Sequence, residues 1–287
     1  MITTAIVGAA TMTFHAIADD GLGLAPLRRL QQRGPMQHGS TDVGFRLDPR
    51  VFSLLIALSG SSITELYHRR DELLSFLVPT TELALRFELD DGTRRQIDCR
   101  LIDAPMGYDA RNVRTAQTVG LRFLASDPTF YDPVARHINM AEGGVTGWTV
   151  PTMVPLTVAA TSLDTIFSLA YNGNWRSLPW RIRIRGPITN PVMRNLTTDE
   201  KLDFTGTALA SDSEYLEIDC RYGRKSVVDQ TGANRIADLT ADSDLATWHL
   251  AAHPEAPGGV NDLQVEGTNI TGDTTVVINY FERYLGI

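Results

Sequence analysis

Cysteine is scarce in this chain: Cys99 and Cys220 are the only two among 287 residues, too few and too far apart for the disulfide lattice of a small secreted domain. Each falls in an alternating apolar pattern, so both are expected to be buried, reduced thiols. Two thiols also make no cysteine cluster for a metal. Positive charge is in deficit, with 26 Lys and Arg against 34 Asp and Glu for a net −8, which argues against binding held by phosphate neutralisation. No apolar run reaches the roughly 18 residues of a membrane helix. The opening MITTAIVGAATMTF has no basic residue ahead of Arg28, so it lacks the charged start of an export signal and reads as a first strand. Nor does a G-x-S-x-G, a G-x-x-x-x-G-K-[ST] or a G-x-G-x-x-G open a helix, so the common nucleophile and phosphate-cradling devices are missing.

What remains is an ordinary globular composition, 43% hydrophobic and 21% charged, over a length that suits two domains. From residue 51 to 58, Phe52, Leu54, Ile56 and Leu58 alternate with a partly apolar second set, the pattern of a strand covered on both faces. After Gly60, the spacing from Ser62 to Glu65 is that of a capping box, and Ile63, Leu66, Tyr67, Leu74 and Leu77 follow at helical intervals until Pro79 stops the helix. Leu83, Leu85, Phe87 and Leu89 then lead to Asp91-Gly92, and Ile97, Cys99 and Leu101 lead back, which predicts a β-hairpin. A strand through Val119, Leu121 and Phe123 ends at Asp127-Pro128 and Asp132-Pro133. Composition then shifts to Gly and turn formers, and the domain division is placed there: residues 1–135, then 136–287.

Beyond it, short strand candidates recur at 180–185, 202–204, 215–220, 248–250, 263–265 and 275–280, separated by turns and without helical periodicity, as in a β-sandwich or jelly roll. The most specific run lies here. Gly173 and Trp175, then Pro179, Ile182, Ile184 and Gly186, then Asn190, Pro191 and Asn195, then Glu214, Leu216, Ile218 and Asp219 resemble the C-terminal domain of the distal tail proteins of long-tailed bacteriophages. The first half adds, in the family's order, Asp20-Gly21-Leu22-Gly23, Gly60-Ser61-Ser62, a helix followed by Pro79, the hairpin at Asp91-Gly92, and Asp127-Pro128 before Tyr131. None of these is a catalytic group. The resemblance implies a mainly β protein with an N-terminal split-barrel-like domain carrying one helix, and a C-terminal galectin-like sandwich. It further implies a non-enzymatic virion subunit without cofactor, made in the host cytoplasm. Such a subunit forms a homohexameric ring at the tail tip that joins the tail tube protein to the baseplate hub and lets DNA pass. Tape measure and receptor-binding proteins are further partners it implies.

Four groups of residues were weighed as sites. Arg181, Arg183 and Arg185 alternate with Trp180, Ile182 and Ile184, which puts three guanidinium groups in one row: a solvated sheet face, or a contact with an acidic neighbouring subunit. Trp148, Trp175, Trp180 and Trp248 read mostly as core, with Trp175, beside Asn172, Gly173 and Asn174, the one best placed to stack on a glycan. His249 and His253 stand four apart but lack the Glu of a metalloprotease helix, so no metal is assigned. Asp19-Asp20 and Asp90-Asp91 are assigned to turn chemistry. The rival to a ring subunit is a carbohydrate-binding, lectin-like module for host-surface glycans; a glycoside hydrolase would require two facing carboxylates in a cleft.

Overall fold

The structure is a computed structural model and describes residues 2–107, 115–142 and 162–287. Its contacts divide it into two compact units, Met1–Pro133 with Tyr284–Ile287, and Val134–Arg283. The last four residues, expected in the second domain, therefore belong with the first.

The first unit contains β1 (Ile2–Val7), β2 (Ala10–Asp20), β3 (Leu27–Gln32), β4 (Thr41–Leu47), β5 (Arg50–Ser59), α1 (Ile63–Phe76), β6 (Leu83–Glu88), β7 (Arg94–Asp103), β8 (Met106–Gly107), β9 (Ala116–Ala125) and β10 (Phe130–Tyr131). Strands pair in the order β7-β6-β1-β2-β5-β9, all antiparallel, and β9 pairs again with β7 to close a six-stranded barrel. Alternation makes this possible. Phe52, Leu54 and Ile56, Leu83, Leu85 and Phe87, Ile97 and Cys99, and Val119, Leu121 and Phe123 all point inward and are at most 2% exposed. Phe52 and Phe123, directly opposite across β5 and β9, stack with ring centroids 5.3 Å apart.

Two local readings change. The N-terminal apolar stretch is a hairpin, β1 folding onto β2 at Gly8, whose φ of 57° a side chain would resist. The strand at 50–59 is buried on one face only, with Val51 and Leu55 each 38% exposed, because a closed barrel has a single interior. The hairpin at Asp91-Gly92 forms as β6 and β7, Gly92 taking φ 81°.

The helix starts at Ser62, whose Oγ accepts from the Glu65 amide at 3.2 Å. The reciprocal half of the cap is displaced by one residue: the Glu65 carboxylate accepts from the Ser61 amide at 2.7 Å and from its hydroxyl at 2.5 Å. These Ser61 hydrogen bonds, with Arg69 adding to them, hold the Glu65 carboxyl below the ordinary value. Leu66 and Leu73 are the buried face and Leu77 the buried cap, whereas Leu74 is 41% exposed.

The second unit contains β11 (Arg136–Glu142), β12 (Ser162–Ala170), β13 (Arg181–Arg185), β14 (Ile188–Asn195), β15 (Glu200–Asp203), β16 (Ala208–Leu209), β17 (Tyr215–Asp219), β18 (Ser226–Asp229), β19 (Val260–Thr268) and β20 (Thr275–Tyr280). They form two sheets, β11-β20-β13-β17-β18 and β12-β19-β14-β15 with β16 on β14. One core joins both: Ile182, Ile184, Leu216, Ile218, Val276 and Ile278 from the first meet Ile188, Met193, Leu202, Leu263 and Val265 from the second. Residues 248–250 are no strand. Leu250 makes a single bridge to Ser177, while Trp248, fully buried, fills the core from a connecting segment.

Candidate functional site

The arginine row lies on β13 between β17 and β20, opposite the buried Ile182 and Ile184. Its cations are engaged within the chain. Arg183 donates at 2.7 Å to Glu217, its direct cross-strand neighbour, and lies 4.5 Å from the Tyr215 ring centroid. Arg185 donates from Nε to the Asp212 carbonyl and faces the Asp212 carboxylate at 3.6 Å. Arg181 lies over Trp180 at 4.5 Å. Trp180 itself was expected on the buried side of this strand. It instead precedes β13, half-buried, its ring stacked on Phe281 at 6.3 Å.

Trp175 is also half-buried, its backbone bridged to Arg283 and the Arg176 guanidinium carbon 5.4 Å from its ring centroid. Gly173 is held here by close packing: a Cβ would come within 2.3 Å of the Tyr171 hydroxyl, which donates to the Trp175 carbonyl and accepts from the Arg283 amide. Trp148 lies outside the described residues.

Asn195 forms a polar tie in the interior of the sandwich. It is fully buried, and its Nδ2 donates to the His249 carbonyl at 2.8 Å and to Asn261 Oδ1 at 3.2 Å. Asn261 in turn accepts from the Ala251 amide and donates to the Ala251 and Gly259 carbonyls. Buried amides of this kind are stable only when their donors and acceptors are met, as they are here.

His249 completes the cluster. It is 4% exposed, with Nδ1 at 2.9 Å from the Thr247 carbonyl and 3.0 Å from Glu200, and Nε2 at 3.3 Å from Glu255. Nδ1 thus faces two oxygen acceptors, while Nε2 lies near Glu255 without a hydrogen bond to it, an arrangement that favours the charged ring by electrostatics. Burial opposes that charge, but the Glu200 hydrogen bond and charge, then the Thr247 carbonyl and Glu255, outweigh it and raise the His249 pKa. For Glu200, burial likewise opposes the charge and His249 outweighs it, so its pKa falls. His253 is not part of this arrangement. Among the described residues, no three His, Cys, Asp or Glu side chains gather as a metal site.

The carboxylate pairs divide. Asp91 accepts from the Thr93 amide at 2.8 Å and shapes its turn, whereas Asp19 and Asp20 lie in β2, opposite Leu54 and Ser53, so turn chemistry does not explain them. A shallow groove of about 350 Å³ on the second sheet is lined by Asp164, Asn190, Thr205, Glu266 and Thr268 among others. No aromatic ring lines it, so it lacks a stacking surface for a sugar.

Sequence reasoning missed Arg50. It is 0% exposed, with Nε donating to the Pro128 carbonyl at 2.8 Å, Nη1 to the Gly21 and Gly23 carbonyls at 2.7 Å each, and Nη2 to the Leu285 carbonyl at 2.6 Å. The Phe130 ring lies 4.7 Å from the guanidinium carbon. Burial lowers its pKa. The signal was present but unread: Asp20-Gly21-Leu22-Gly23 and Asp127-Pro128 are the segments that supply three of these carbonyls. Gly21 cannot carry a side chain, since a Cβ would meet the Val51 carbonyl at 2.7 Å.

A closed barrel and a β-sandwich define a mainly β protein of two units. Residues 18–125 match the family model described as phage tail protein RIFT-related domain. Over 98% of both chains the fold is that of the SPP1 Dit protein, described as a paradigm of the hub adsorption apparatus in phages infecting Gram-positive hosts, at 16% identity and a TM-score of 0.67. A chain of the phage P2 baseplate in its activated conformation with Ca aligns over 97% of this chain and 98% of its own, at 12% identity and a TM-score of 0.47. No curated protein matches. The chain is thus similar to a phage tail domain over residues 18–125, and its fold is that of a distal tail protein.

Proposed function

We propose that this chain is the ring subunit of a siphophage tail tip: six copies close around the tail axis, join the tail tube protein to the baseplate hub and leave a channel for DNA. The observation that carries this reading is the match of the first half to a phage tail domain within a fold shared, end to end, with a hub protein. A closed ring of identical subunits needs a heterologous contact, one patch meeting a different patch on the next copy. The net charge of −8 suits a channel to which DNA must not adhere. In this reading residues 1–135 form the ring and residues 136–287 a galectin-like sandwich. The subunit is made in the host cytoplasm, has no catalytic role or cofactor, and works mechanically. The row Arg181, Arg183 and Arg185 is a contact with a neighbour, made in addition to its pairs within the chain.

Mass photometry of the purified chain over a concentration series tests the ring. A species of six-fold mass is expected; a monomer at every workable concentration would count decisively against it. The glycan reading rests on Trp175, half-buried and preceded by the exposed Asn172 and Asn174. Glycan-array binding that Trp175→Ala abolishes, by a protein that remains monomeric, would favour it instead.

A further inference from the structure

We infer that the first unit carries a built site for a short extended peptide, filled by the chain's own Tyr284–Ile287, and that seating of this segment licenses the subunit to oligomerise; the licensing rests on the ring reading above. The strands that close the barrel all lie within residues 2–125, and the chain returns to this unit only after Val134–Arg283 has intervened. The segment therefore meets a framework that exists without it.

Three features say what the site takes. The first is the cation. Arg50 sets Nε and Nη1 on the carbonyls of Pro128, Gly21 and Gly23, all from segments that precede the second unit, and directs Nη2 to the Leu285 carbonyl at 2.6 Å. A buried guanidinium donor left without an acceptor is costly, so Nη2 calls for a backbone carbonyl at this point. The second is the backbone. The Ile287 amide donates to the Leu22 carbonyl at 3.2 Å, and in an extended chain the carbonyl of one residue and the amide two residues on point the same way. Gly286, between them, lies so close that a Cβ would come within 2.8 Å of the Gly23 carbonyl oxygen, whereas a Cβ on Gly23 itself would meet nothing within 4 Å. The third is the side chains. The Arg95 guanidinium carbon lies 3.5 Å from the Tyr284 ring centroid, and Tyr284 and Ile287 both pack against the barrel core. The ligand class is thus an extended peptide of the form aromatic-x-Gly-aliphatic. Until the segment arrives, Nη2 lacks its acceptor and the apolar surface beneath Tyr284 and Ile287 is open. Chains grow from the N-terminus, so seating reports that the second unit has been made before the first is fit to join a ring.

The test compares the full-length chain with Gly286→Ala, whose methyl group meets the Gly23 carbonyl, and with Gly23→Ala, whose methyl group meets open space. Gly286→Ala is expected to speed Cys99 alkylation by about tenfold or more and to lose oligomer mass, while the tryptophan-reported melting of the second unit is unchanged. Gly23→Ala should behave as wild type. A chain ending at Arg283 then separates the site from its tether. Synthetic Tyr-Leu-Gly-Ile, titrated into the millimolar range, should restore Cys99 protection with saturation, and Tyr-Leu-Ala-Ile should not. Gly286→Ala carries the test should the shortened chain fail to fold. Wild-type Cys99 reactivity in Gly286→Ala would overturn the site, as would equal protection by the two peptides, none included. Faster Cys99 alkylation with oligomer mass kept would overturn the licensing and leave both the site and the ring reading standing. A monomeric wild type would overturn the ring reading and the licensing together, and the peptide-dependent protection would still decide the site.

Discussion

Arg50 and Leu285 stand 235 residues apart and meet inside the first unit, where the guanidinium Nη2 donates to the Leu285 carbonyl at 2.6 Å. The same cation collects the carbonyls of Gly21, Gly23 and Pro128, so one side chain ties the loop after β2, the turn before β10 and the C-terminus. Carbonyl dipoles and the face of the Phe130 ring stabilise this buried charge, and removing it strands several acceptors at once.

Arg50→Ala is therefore expected to destabilise the first unit by about 3–5 kcal/mol, as for other broken buried charge contacts. Deleting Leu285 to Ile287 removes one of the four acceptors and should cost less. All four tryptophans lie at residue 148 or beyond, so their fluorescence follows the second unit. Cys99 alkylation follows the first. The expected result is early exposure of Cys99 with an unshifted tryptophan transition; equal melting of mutant and wild type by both probes would refute the cage.

His249 sets a pH dependence whose sign follows from its raised pKa. Its contribution is complete below the unfolded value near 6.5 and is lost as pH rises through the higher folded value. Glu200, with a lowered pKa, contributes above the ordinary carboxylate range and loses that contribution as pH falls through the folded value. The tryptophan-reported transition should therefore weaken as pH rises above about 6.5. In His249→Gln that slope should disappear, and a slope unchanged by the substitution would dismiss the imidazolium.

Burial pushes the Cys220 thiol up to about 12 and raises Cys99 well above its ordinary value. Both should resist alkylation in the native chain and react fully once it is denatured, without any reductant. Mass spectrometry decides between this and a linked Cys99–Cys220 peptide, which would be incompatible with thiols buried in separate units.

On the helix, Leu73→Ala should cost about 2–5 kcal/mol and Leu74→Ala no more than about 0.5 kcal/mol, because only the first is buried. Denaturant melts of the two variants, followed by Cys99 reactivity, check this directly.

The triple reversal Arg181→Glu, Arg183→Glu, Arg185→Glu removes two exposed ion pairs, to Glu217 and Asp212, each worth about 0–1 kcal/mol. A small fall in melting temperature is expected. A much larger loss of oligomer mass is expected if the row meets an acidic neighbour. Intact oligomers in the mutant would leave the row as a solvated face.

Much of this molecule was legible in its residues. Period-two alternation identified the hairpin at Asp91-Gly92 and the inward set of β5 and β9, because a strand has only two faces. Ser62 and Pro79 bounded the helix through their backbone hydrogen bonding, and the turn-separated strands of the second half indicated a sandwich. Those are local properties, decided within a few residues. Other features depend on which element lies opposite. Both Leu73 and Leu74 satisfy helical spacing from Leu66, and only the position of the barrel chooses between them. Val51 and Leu55 are apolar enough for a second buried face, yet closure of β7 onto β9 leaves that face in solvent. Arg50 read as an ordinary strand residue, since its four carbonyl acceptors come from three distant segments, and no pattern near residue 50 encodes them. Trp248 and His249 resembled a strand for the same reason: their burial is set by Asn195, Asn261 and Glu200, which reach them only after the sheets have packed. Alternation, caps and turns were thus determined by the sequence alone, through short-range sterics and hydrogen bonding. The buried cation and the imidazolium were decided by tertiary structure, where long-range contacts settle which polar groups lose water and what replaces it.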